Sequence, residues 1–342
     1  MQNTQLSLGA AIAILALANF NASAQVGTTP TSDGKPEVTF YGRVDLGVFS
    51  QDSGTTPINA GNGLTGSAAD RSEVKQGSAG RLGVRGTSAI DQDLSLGFLL
   101  EHRFQPDSGV AETPFYQARS FIELESKALG SLYIGREYIP AFWVGLRLDP
   151  WGFDTVGTPG PKHQLVNYTI DGGIRSNNTV GYKTPSFGGL TGTFAVTAGE
   201  GLRKEGFGGS VEYRTGPWYA GIAIDHVSDQ QNLSVAGLAY DFKTFRPSLI
   251  LGRSVVAGNE NKNYTLAATA PFGKGVFKVA VAVLDLAGPD NDNTRASFGY
   301  EHRLNKYASW YADIARASQN GTIAGKSLTP TMLFDAGLKL NF

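Results

Sequence analysis

The sequence predicts an all-β chain, a transmembrane antiparallel β-barrel of about sixteen strands, with one long connection folded into its interior. Three observations carry that prediction. Segments of about 9–11 residues alternate apolar and polar, and their polar faces bear charge. The connections between them alternate short and long along the chain. One stretch, Gly135–His163, abandons the alternation for proline, glycine and aromatics.

Composition narrows the alternatives. The chain has 342 residues, 41% of them hydrophobic, with 44 glycines and a formal net charge of −1. A balanced charge gives no basic excess for nucleic acid. Cysteine is absent, which removes disulfide frameworks, thiolate metal sites and cysteine nucleophiles. The only apolar run of note is Leu6–Phe20, followed by Ala22-Ser23-Ala24. That pattern predicts a secretory leader, residues 1–24, cleaved after Ala24, although MQNTQ carries no positive charge. Residues 25–342 then form a single barrel.

The first strand runs from Glu37, with Val38, Phe40, Val44, Leu46 and Val48 on one face and Thr39, Tyr41, Arg43 and Asp45 on the other. Gly80–Ile90 follows, with Arg81, Arg85 and Thr87 opposite Leu82 and Val84. The turn Asp91-Gln92-Asp93 leads into Leu94–Phe104, where Glu101 and Arg103 oppose Leu96, Phe98 and Leu100. Tyr116–Leu124 and Ser131–Glu137 precede the interruption. After it come Ile174–Lys183, Leu190–Gly199, Glu205–Arg214, Trp218–His226, Leu233–Phe242 and Phe245–Val255. Asn263–Ala270, Val276–Asp285, Thr294–Arg303, Tyr307–Ala315 and Pro330–Phe342 complete the set.

Every second connection is short: DQD, TGP, FGKG, LNK. The others, Gln51–Ser78, Val227–Asn232, Ala287–Asn293 and Ser318–Thr329, are longer and polar. Short periplasmic turns opposite longer outer loops are the mark of an outer-membrane barrel, and a soluble sandwich has no cause to sort its loops by parity. In Phe277–Val283, Phe277, Val279, Val281 and Val283 point to lipid, while Lys278 and the alanines point inward. A lysine facing lipid at mid-depth costs about 2–4 kcal/mol.

Other patterns have plainer readings. Gly61–Gly66 matches G-x-G-x-x-G but lacks the strand before it and the helix after it. Asp290–Asn293 lacks the glycine and glutamate of a calcium loop. His102, His163, His226 and His302 show no metal spacing, and no G-x-S-x-G occurs. Glu123 and Glu125 share a strand face as solvated charge.

Several stretches together resemble the trimeric general porins of Gram-negative outer membranes, in the neisserial or betaproteobacterial branch. They are VTFYGRVDLGV, RLGVRGTSAIDQDLSLGFLLEHRF, GSLYIGREYIPAF, RSNNTVGYKTPSFGGLTG and the closing FDAGLKLNF. The resemblance implies a sixteen-stranded homotrimer contacting outer-membrane lipid and lipopolysaccharide, with the third outer loop in the lumen. It also implies that Leu338, Leu340 and Phe342 belong to a signal for the barrel-assembly machinery. It places arginines on the wall opposite acids on the inward loop. By position and alternation the wall candidates are Arg43, Arg81 and Arg85, followed by Arg103, Arg136 and Arg175. The acidic candidates are Asp149 and Asp154, with Glu137 at the loop's root. The loop lacks the Pro-Glu-Phe-Gly-Gly run of some relatives, and the chain ends Asn-Phe.

The implied function is passive diffusion of ions and small hydrophilic solutes, with no cofactor, metal, nucleic acid or catalysis. Two alternatives stand beside it. A solute-specific channel would line its path with Trp143, Trp151 and Phe153, and a barrel enzyme would assemble a triad from distant positions.

Overall fold

The computed structural model describes residues 35–52, 54–56, 66–68, 70–159, 174–199, 205–285, 287, 292–319, 322–323, 326–327 and 330–342. The expected leader, most of the G-x-G-x-x-G stretch, His163, Asp290 and Asn291 lie outside these residues.

Sixteen long strands form one closed antiparallel sheet. The first five are β1 (Glu37–Gln51), β2 (Gly80–Ala89), β3 (Leu94–Gln105), β4 (Arg119–Ser126) and β5 (Gly130–Tyr138). A helix, α1 (Pro140–Leu148), follows β5. Then come β6 (Arg175–Lys183), β7 (Leu190–Thr197), β8 (Gly206–Thr215), β9 (Trp218–Ser228), β10 (Gln231–Tyr240) and β11 (Arg246–Val256). The last are β12 (Asn259–Phe272), β13 (Gly275–Asp285), β14 (Asp292–Arg303), β15 (Ala308–Gln319) and β16 (Thr331–Asn341). Each pairs with its neighbour in sequence, and β16 returns to pair with β1 from Arg43↔Asn341 to Gln51↔Leu333. The terminal residue seals the seam: Gly42 N–H donates to Phe342 O at 2.8 Å, and Phe342 N–H donates to Gly42 O at 3.1 Å. Closure pairs the backbone without leaving an edge, which is what a β chain needs in lipid.

Side chains sort as the alternation requires. On β13, Val279 and Val281 are 47% and 50% exposed, while Lys278, Ala280 and Ala282 are buried inside. Lys278 Nζ meets Glu301 at 2.9 Å. The same exposure of large apolar residues recurs around the barrel at Phe40, Leu82, Ile134, Ile222, Leu266 and Phe298. An apolar exterior around a charged interior inverts the order of a water-soluble protein, so the exterior solvent is lipid. None of the described helices is long and apolar enough to cross a membrane; the strands do the crossing. Aromatics crowd the short-turn end, where Phe242 stacks on Phe245 at 4.7 Å and Trp218 meets Tyr240 edge-on at 4.6 Å. Their rings mark the bilayer interface. The turn Asp91–Asp93 holds itself: the Asp91 carboxylate accepts the N–H groups of Asp93 and Leu94, which lowers its pKa.

The structure corrects four expectations. Arg71–Lys75, assigned to an outer loop, forms a short strand on β1, with Gly47↔Lys75 to Gln51↔Arg71 in register. The expected longer loop at Val227–Asn232 is a tight hairpin, because β9 and β10 run on to Ser228 and from Gln231. Likewise β11 and β12 continue through Asn259, Glu260 and Asn261, with Arg253 paired to Glu260. Apolar alternation ends where lipid ends, whereas backbone pairing carries on into water. Finally, β4 begins at Arg119 rather than Tyr116.

Candidate constriction site

The stretch that breaks the alternation enters the barrel as a helix, which the sequence reading did not foresee. Pro140 stands at its first position, where a fixed φ and a missing N–H suit helix initiation, and Arg147 lies in its last turn. Its residues are apolar almost all round, so it is stable only where every side is covered. Ala141, Val144 and Leu148 are fully buried. The seat is built of glycine. A Cβ on Gly208, Gly221 or Gly237 would lie 3.0, 2.9 and 2.5 Å from Pro140, Val144 and Leu148 respectively. Those three residues are spaced i, i+4, i+8, one face of the helix, and the glycines come from the successive strands β8, β9 and β10. Tyr219, Ala223, Leu233, Val235, Ala239 and Ile250 complete the packing, so the main apolar core lies inside the barrel against one wall.

The chain then crosses to the opposite wall. Asp149, expected among the lumen acids, is buried instead. Its Oδ1 accepts Trp151 N–H and its Oδ2 accepts the Thr158 hydroxyl, both at 2.7 Å, so it shapes the loop. Trp151 Nε1 donates to Asp313 Oδ1 at 2.7 Å, an approach that Gly299 permits by having no Cβ. Val156 N–H donates to Asp335 Oδ2 at 3.0 Å, Thr155 N–H donates to Gly77 O at 2.8 Å, and Arg295 donates to Val156 O. These anchors hold Phe153 and Thr155 in left-handed backbone conformations (φ 64° and 57°), each costing about 1–3 kcal/mol. Gly77 is itself fixed: Asp45, fully buried, accepts the N–H groups of Gly77 and Ser78 and the hydroxyls of Ser78 and Tyr311.

On the wall between these anchorages three arginines stand in a row. Arg43, Arg81 and Arg103 are direct cross-strand partners on β1, β2 and β3. Like charges placed so oppose one another, and the row persists by unequal neutralisation. Arg43 meets Asp154 of the crossing segment at 3.0 Å and Asn341 at 2.8 Å. Arg103 meets Glu101 at 3.1 Å and donates to Tyr138 Oη at 2.9 Å. Arg81 has no ion pair among the described residues, and its Nε is buried without a partner. Arg85 lies on the same inner face of β2, nearer the short turn and beside the Tyr41 ring. Arg175 donates to Tyr138 Oη at 2.8 Å. Asp154 is thus the expected acid that reaches an expected arginine of the row.

Two further expected residues have other partners than the arginine row. Glu137 lies at the end of β5, at the root of the crossing segment as expected, and chelates Arg119 through Nε at 2.9 and 3.1 Å. Arg136 shares the parity of Leu132 and the exposed Ile134, and so leaves the lumen face; it donates to Gln117 O at 2.7 Å and to Asn177 Oδ1 at 2.5 Å. Among the aromatics, Trp151 and Phe153 are buried by the anchoring contacts, whereas Trp143 lies between the guanidiniums of Arg119 and Arg147 at 5.3 and 5.6 Å. Arg119, Arg147, Asp313 and Asp335 were not singled out from the sequence. The parity of Asp313 on β15 and of Asp335 on β16 was legible; the loop atoms they bind were not.

A barrel spanned by an inward segment, with charge on both sides of the opening, is a known arrangement. A family model described as Gram-negative porin matches residues 10–322. The chain belongs to the Gram-negative porins. This porin is similar to outer membrane porin protein 32 of Delftia acidovorans, 28% identical over 267 residues, 70% of this chain and 74% of that protein. Its fold matches a structure described as the anion-selective porin from Comamonas acidovorans, with TM-score 0.76 at 23% identity, covering 90% of this chain and all of that one. A loop-deleted OmpT of Vibrio cholerae matches at TM-score 0.67 and 13% identity, over 90% of this chain and 99% of that one. The porin resides in the Gram-negative outer membrane and forms a diffusion channel rather than an enzyme.

Proposed function

We propose that this channel passes ions and small hydrophilic solutes by passive diffusion and that it favours anions. The observation that carries the reading is the row Arg43–Arg81–Arg103, because one of its members, Arg81, faces the opening without a carboxylate partner among the described residues. Clustered charge in a narrow pore decides which ions enter. The anion-selective description of the Comamonas acidovorans relative points the same way. Arg85, Arg119 and Arg175 extend the basic side, and Asp154 moderates it from the crossing segment. The apolar belt suits a homotrimer in lipid and lipopolysaccharide. The outward alternation of Leu338, Leu340 and Phe342, all exposed, suits docking to the assembly machinery.

The test is the reversal potential of the purified protein in a planar bilayer under a tenfold potassium chloride gradient. The expected sign is that of chloride preference, and Arg81→Ala moves it toward potassium. A potassium-selective wild type, or an unmoved potential in Arg81→Ala, refutes the assignment.

A further inference from the structure

Below the arginine row, toward the short-turn end, the lumen wall is hollowed. A concavity open to the lumen lies there over β2, β3, β4 and the end of β6, with ≈ 60 Å³ of space for solvent, several times what one ordered water needs. The hollow exists because the inward positions at its centre are small: Thr87, Ser95 and Gly97. Phe121 and Leu99 give it an apolar side. Around it stand Arg85, Arg119 and Lys183, with Glu123 and Glu125.

Most of these charges satisfy one another. Arg119 is chelated by Glu137. Lys183 meets Glu123 at 2.8 Å, and the Ser131 hydroxyl donates to the same carboxylate oxygen at 2.6 Å. Two are left over, of opposite sign. Among the described residues Arg85 has no ion pair, and its Nε is buried with no hydrogen-bond acceptor. Glu125 has no hydrogen bond or ion pair among the described residues. Register fixes how far apart they are. Arg85 is opposite Leu99 on β3, and Glu125 is opposite Ser95 on the same strand. Four residues along and two strand spacings across put their Cα atoms about 16 Å apart, too far for a direct ion pair. A guanidinium N–H cut off from water without an acceptor is costly, and a solute carrying both charges meets the leftover charge at each end.

We infer that this hollow is a binding site for small zwitterionic solutes, with the carboxylate on Arg85, the ammonium on Glu125 and a short methylene stem along Phe121 and Leu99. The inference rests on the open, water-filled lumen of the proposed function. The site is a stage on the diffusion path, and it selects amino-acid-like solutes over simple anions.

The test uses the whole porin in a planar bilayer, with 5-aminopentanoate added on the short-turn side and binding read from solute-induced current noise. Pentanoate and pentylammonium serve as single-charge comparators. The zwitterion binds at least about tenfold more tightly than either, and Arg85→Gln and Glu125→Gln each weaken it about tenfold. Glu125→Gln removes no hydrogen bond of the protein, so it reads the site even where Arg85→Gln fails to assemble. Pentanoate equal to the zwitterion, or zwitterion binding unchanged in Glu125→Gln, overturns the site. Potassium chloride conductance in the same bilayers separates the two claims. A conducting wild type without solute noise overturns the site alone, and a barrel that does not conduct overturns the diffusion reading with it.

Discussion

Asp154→Asn probes the constriction most directly. The substitution keeps the shape of the side chain and removes the one charge of the crossing segment that meets the arginine row, at 3.0 Å from Arg43. Arg43 keeps its contact with Asn341 at 2.8 Å, so the wall retains its geometry. An ion passing about 6 Å from the lost carboxylate feels about 0.7 kcal/mol in a water-like dielectric. At 0.1 M salt, screening over a Debye length of about 10 Å reduces this to about 0.4 kcal/mol. The term acts with opposite sign on anion and cation, so the chloride-to-potassium permeability ratio rises about fourfold. At 1 M salt the Debye length is about 3 Å and the rise falls below about 1.5-fold. Reversal potentials at mean concentrations of 0.1 and 1 M measure both. An unchanged ratio at 0.1 M refutes the placement of Asp154 at the narrow point. An equal rise at both salts refutes the electrostatic origin, because a change of shape is not screened.

Three other substitutions test the scaffold. Gly237→Val puts a Cβ 2.5 Å from Leu148, at an overpacking cost of about 1–3 kcal/mol, and displaces α1 into the lumen; single-channel conductance falls. Trp151→Ala removes the bond to Asp313 and the buried ring, at about 3–5 kcal/mol, and frees the tail of the crossing segment. Voltage-step recordings then show closures at lower voltage than in the wild type. Val281→Lys places a charge on the lipid face at a cost of about 2–4 kcal/mol, and lowers the urea midpoint of barrels folded into lipid vesicles; an unchanged midpoint contradicts the assignment of that face.

Much of the barrel was legible because alternation is a local property. Val279 and Val281 against Lys278, or Leu82 against Arg81, need only the pleat of their own strand to declare which side meets lipid. Arg136 shows where that reasoning stops. A sound arginine near the loop, it falls on the outer parity, and where the pairing of β5 with β6 turns irregular past Gly135 it donates to Gln117 and Asn177. Glu137 and Asp149 were recognised as acids near the crossing segment, but their partners are Arg119 on the wall and Thr158 of the segment itself.

The sequence by itself determined a closed, membrane-crossing barrel with a charged interior and one interrupting segment, since those follow from residue type at fixed short spacing. Tertiary structure alone decided that the segment is helical, that it rests on Gly208, Gly221 and Gly237, and that Arg43, Arg81 and Arg103 share one level. The physical reason is that strand register and the path of a chain across a lumen depend on contacts between residues far apart in sequence, such as Trp151 with Asp313. No local pattern encodes those contacts.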